Sequence, residues 1–108
     1  MEARLIHKGE AIEYTPSVDT AAGTVVVIDS LIGVTKLDIP AGVLGALAMI
    51  GVFDVVKAAG AGTAFTMGQE VYWNDTAKVA TIDPTGNKLL GKAVADAGDD
   101  DVLVRVRL

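Results

Sequence analysis

The chain of 108 residues has no cysteine, a single histidine and only five aromatic side chains. Without cysteine there are no disulfides, no thiolate nucleophile and no Cys-based zinc site, and nothing requires an oxidising compartment. The lone imidazole, His7, sits in the mixed-charge segment Met1 to Glu10 with no serine or metal-ligand partner beside it. It reads as a surface residue, and neither a Ser-His-Asp triad nor a zinc site is assigned. With so few aromatics, the core must be built from Val, Ile, Leu and Ala, which calls for close sheet packing.

Long apolar runs are missing too. The longest uncharged stretch, Ile39 to Phe53, is interrupted by Pro40, Gly42, Gly45 and Gly51 and falls short of the ~20 residues that span a bilayer as a helix. No membrane segment is expected. Charges of both signs before Glu10 also break the pattern of a signal or transit peptide, so folding in the cytoplasm is the expectation. The formal net charge of −5 opposes binding to a phosphate backbone, and no nucleic-acid partner is expected.

What remains is a hydrophobic content of 51% divided by twelve glycines into short apolar segments. That is how a string of strands and tight turns looks. The expected fold is all-β: one small domain over residues 1–108, a β-barrel or sandwich of short strands with at most one or two short helices, residues 1–10 forming a flexible N-terminal arm. The strands are expected at 5–7, 10–14, 24–29, 31–38, 44–50, 52–57, 70–73, 78–82, 88–95 and 102–108. Turn residues mark the connections at Thr15 to Ser17, Ile39 to Gly42, Asp83 to Asn87 and Ala97 to Asp100. Helical alternatives exist at Val43 to Ile50, weakened by Gly45, and at Val18 to Ala22, with Ser17 or Asp19 as cap.

The last segment, Asp101-Val-Leu-Val-Arg-Val-Arg-Leu108, alternates with period two. Val102, Val104, Val106 and Leu108 should face a core, and Leu103, Arg105 and Arg107 should face outward. A weak internal echo sets Ala22-Gly-Thr-Val-Val-Val27 beside Met67-Gly-Gln-Glu-Val-Tyr72, and Leu31-Ile-Gly-Val34 beside Met49-Ile-Gly-Val52 and Leu89-Leu-Gly-Lys92. Each implies a strand whose glycine marks a bend or the close approach of another backbone.

Chemical motifs are weak. Ala58-Ala-Gly-Ala-Gly-Thr63 has neither the Gly-Lys-Ser/Thr ending of a phosphate loop nor a third glycine where Phe65 stands. Asp99-Asp100-Asp101 lacks the ligand spacing of an EF-hand. Lys57 could in principle be the swinging arm of a biotinyl or lipoyl carrier, an alternative function on a small β-barrel, although it lacks the flanking methionines. Trp73 alternates onto the face of Val71 and is expected in the core, which leaves Tyr72 as the exposed aromatic. No catalytic, cofactor or metal residue is assigned, and no cofactor is expected.

The order of short phrases carries more than any one of them: Gly9-Glu-Ala-Ile-Glu-Tyr-Thr-Pro16, Ala21-Ala-Gly-Thr-Val-Val-Val27, Ile32-Gly-Val34, Ile39-Pro-Ala-Gly42, Gly45-Ala-Leu47, Gly51-Val-Phe-Asp-Val-Val-Lys57, Gly68-Gln-Glu-Val-Tyr-Trp73, Leu90-Gly-Lys-Ala-Val94 and Val104-Arg-Val-Arg-Leu108. The series resembles the DUF2190 family of phage and prophage proteins over nearly the whole chain. The resemblance implies a non-enzymatic capsid decoration, or cement, protein of a tailed bacteriophage. Such a protein sits on the outer surface of the expanded head, binds the major capsid protein and is commonly a homotrimer. Arg4, Ile6 and Lys8 on the arm, with Tyr72, Arg105 and Arg107 on strands, are the candidate contacts to the capsid or to neighbouring subunits.

Overall fold

The computed structural model describes all 108 residues, Met1–Leu108. It is all-β, with nine short antiparallel strands and no helix. β1 (Ala11–Tyr14), β2 (Val25–Ile28), β3 (Leu31–Val34) and β4 (Gly45–Ala48) form one sheet in the order β1-β4-β3-β2. β5 (Val52–Val56), β6 (Glu70–Asn74), β7 (Val79–Thr81), β8 (Lys88–Ala93) and β9 (Leu103–Arg107) form the second, in the order β5-β9-β8-β6-β7. The outer strands β5 and β7 meet only through an isolated parallel bridge, Lys57↔Ala80. The sheet therefore curls without closing, and of the two expected architectures the sandwich is the one formed.

Alternation along the strands builds the main core. Val55, Val71, Trp73, Leu90, Ala93, Val104 and Val106 are buried on the inner face of the five-stranded sheet, joined by Phe65 and Ala97 from its loops. Val25, Val27 and Ile32 of the other sheet pack against them. Leu47 and Ala48 of β4 are buried beside Val34 of β3. Trp73 lies in the core as its alternation implies, and its indole N–H donates to Asp75 Oδ1 at 3.1 Å. That bond satisfies the one polar atom the ring takes inside.

Four expectations need correction. Residues 5–7 form no strand: Met1 to Lys8 are exposed and carry no sheet pairing. Val43 to Ile50 is not helical, because Gly45 to Ala48 pair with β1, and a Cβ at Gly45 would lie only 2.5 Å from Ile39 Cδ1. Val18 to Ala22 is not helical either, since Thr20 exchanges both backbone bonds with Ile39, at 2.9 and 2.8 Å. Val102 precedes β9 and is exposed; only Val104 and Val106 are fully inside, with Leu108 half-buried.

The glycine echo has a physical basis. Gly23 and Gly68 hold φ of +80° and +91° in the turns before β2 and β6. Gly33 passes so close to β4 that a Cβ would lie 2.7 Å from the Ala48 carbonyl oxygen, and a Cβ on Gly91 would overlap the Arg107 carbonyl. Turn and strand crossing are thus set by the absence of a side chain.

Candidate functional site

Only 19 of 108 residues are buried, and the accessible surface is 6927 Å². A folded monomer of 11.1 kDa exposes roughly 5,700 Å². Large apolar side chains account for part of the excess, among them Leu5 and Ile6 on the arm and Leu37, Val43 and Leu44 beside β4. Unpaired apolar surface on this scale marks interaction sites. The radius of gyration, 14.9 Å, exceeds the ~13 Å of a compact chain of this length, as expected with the arm standing away from the body.

The six candidate contact residues fall in two places. Arg4, Ile6 and Lys8 are exposed on the arm, which leads through Gly9 (φ +79°) into β1. Tyr72, Arg105 and Arg107 share the outer face of the five-stranded sheet. There Arg107 lies between Val52 of β5 and Lys92 of β8, Lys92 pairs with Glu70 of β6, and half-buried Tyr72 lies between Leu89 and Thr81. Arg107 and Lys92 are thus like charges directly opposite one another, an arrangement that favours an anionic partner.

Arg105 is already engaged. Its Nε and Nη2 donate to the two oxygens of Asp54 at 2.9 and 3.2 Å, across the β5–β9 pair. The sequence made Arg105 an outward-facing candidate contact to the capsid or a neighbour, and the strand register pairs it with Asp54 of the same chain. Hydrogen bonding from Arg105, aided by its charge, holds the Asp54 carboxyl below its ordinary 3.8, and the same pairing raises Arg105. A carboxylate with a lowered pKa stabilises the fold above its unfolded value and loses that contribution as pH falls through its folded value. The stability gap between wild type and Asp54→Asn should therefore be fully present at neutral pH and shrink as pH falls from 3.8 through the lower value of the folded carboxyl. Thermal melts of the two proteins across that range measure it; a gap that stays constant would mean the pair contributes nothing.

The residue that sequence reasoning misplaced is Lys57. It is 3% exposed, and its Nζ donates to the carbonyls of Ala58, Gly98 and Asp101 at 2.8, 3.1 and 2.8 Å, with Thr63 Oγ1 at 3.3 Å. An amine enclosed by four oxygen atoms has no path to a modifying enzyme. It ties the 58–63 loop to the 98–101 loop, where Asp99 Oδ1 also accepts the N–H groups of Thr63 and Ala64. The signal was present in the alternation: Phe53, Val55 and Lys57 share one side of the chain, so the period-two pattern carries the lysine inward. The carrier alternative does not survive this geometry.

A family model described as phage cement protein matches residues 6–108. The chain belongs to the phage cement protein family. No curated protein and no solved structure matches it. Membership makes this a structural, capsid-associated phage protein, in agreement with what the resemblance of the ordered phrases implied. The matched span takes in all nine strands and begins at Ile6 in the arm.

Proposed function

We propose that the protein binds the outer surface of the expanded phage head, bridges neighbouring major capsid protein subunits and so stiffens the shell, acting without catalysis as a homo-oligomer, most simply a trimer. The observation that carries this reading is the cement-family match over 6–108. Three physical features support it. An acidic body with net charge −5 suits the exterior of a shell better than its DNA-facing interior. The surface excess of about 1,200 Å² over a compact monomer is of the order a stable interface buries. The arm and the Tyr72, Arg105 and Arg107 sheet face supply two separate contact regions, one for each kind of neighbour a bridging protein must hold.

Residues 1–108 act in this reading as one unit, with residues 1–10 as an arm that gains order on contact. The protein waits in the host cytoplasm until heads expand, and it needs neither cofactor nor nucleic acid. Cosedimentation with expanded heads is expected to be saturable and to raise their resistance to heat. Wild-type protein that leaves heads undecorated and equally heat-sensitive would end the cement reading.

A further inference from the structure

The arm and one groove of the body are chemically matched. A groove of about 460 Å³ runs beside β4, lined by Leu37, Ile39, Val43, Leu44 and Ala46 and by Ala11 at the root of the arm. Its Ile39–Pro40 end adjoins a shallow recess bounded by Asp19 and Asp38. Each of these carboxylates accepts one backbone N–H through Oδ1, Asp19 from Ala41 and Asp38 from Ala22, which leaves Oδ2 of each available. Lys36 is the one cation on the rim.

The arm presents the complement. Leu5 and Ile6 are 84% and 73% exposed, and basic Arg4 and Lys8 flank them. With Glu2 counted, residues 1–9 carry a net charge of +1, so the remainder of the chain carries −6. Nine extended residues reach about 30 Å, enough to cross from one molecule to the next. In the isolated chain Leu5 and Ile6 remain exposed, so the arm leaves its own groove unfilled.

We infer that the arm of one copy docks extended in this groove of a second copy, Ile6 on its apolar floor and Arg4 and Lys8, which share its side of an extended chain, against Asp38 and Asp19. Because the arm leaves the body at Ala11, beside its own empty groove, each copy can donate one arm and receive another. The exchange can then run around a closed ring. The inference adds a named subunit contact to the oligomer of the cement reading, yet it is testable without the capsid.

The absence of native cysteine permits a direct test. Ile6→Cys and Leu44→Cys are made in separate proteins; both positions are exposed, so neither substitution disturbs the core. The purified proteins are mixed under mild oxidant, in solution and again on expanded heads. The expected product is a disulfide-linked pair containing one chain of each type, its yield reduced about tenfold when the Ile6→Cys protein also carries Arg4→Glu and Lys8→Glu. Two results overturn the inference: no mixed pair in either setting, or cross-linking of Ile6→Cys to the capsid protein instead. Failure of the cement reading would appear separately, as wild-type protein that does not bind heads.

Discussion

Lys57→Met is expected to lower stability by about 3–5 kcal/mol, enough to move the thermal midpoint by more than about 10 °C. Methionine matches the length and apolar stem of lysine, so the loss isolates the polar head. Three carbonyls, of Ala58, Gly98 and Asp101, would lose a charge-assisted donor, and buried acceptors without partners are costly. The loops they belong to would open to water to recover those bonds. That relief limits the loss but exposes Phe65 and Ala97, whose backbone groups pair beside the same loops. Denaturant and thermal unfolding of the two proteins measure the difference. A midpoint within a degree or two of wild type would mean that the lysine is not a structural clamp.

Gly91→Ala is expected to cost about 3 kcal/mol by forcing strands apart. The added methyl would overlap the Arg107 carbonyl and lie 3.0 Å from Val106 Cγ1. Both belong to β9, the strand between β5 and β8 that carries Val104 and Val106 into the core. A flexible side chain could swing away; a paired backbone cannot without breaking the ladder. Gly98→Ala is the matched control, because its new methyl meets nothing nearer than Asp101 Oδ2 at 3.6 Å. That change should stay within about 0.5 kcal/mol of wild type. Equal losses at the two glycines, read from unfolding midpoints, would refute the steric account of the β8–β9 crossing.

Strand positions were readable because burial on one face imposes a period of two. Val104 and Val106, or Val71 and Trp73, announce their side of the sheet without any knowledge of their neighbours. Glycine marked the crossings for a related reason: at Gly33 and Gly91 no other residue fits between the strands. Pairing was not readable. Asp54 and Arg105 are opposite only because β5 and β9 share a particular register, and nothing local sets it. Val102 misled because alternation continues in the sequence past the point where the strand begins. Residues 5–7 misled in the opposite way: two apolar residues suggested a strand, but within this chain they have no partner to pair with. Lys57 was misread because a charged side chain ordinarily stays outside, and here the turn carbonyls of two distant loops replace water.

The bridging role proposed above would account for so small a core beside so much apolar surface. In that reading the clamp at Lys57 and the close β8–β9 crossing hold the body together, while the arm and the outer sheet face make the contacts. Electron cryo-microscopy of expanded heads incubated with the protein, compared with bare heads, tests this most directly. The account predicts added density on the outer surface at the junctions between major capsid protein subunits, fitted by the nine-stranded body. Heads that remain bare at saturating protein, or density confined to the interior, would contradict it.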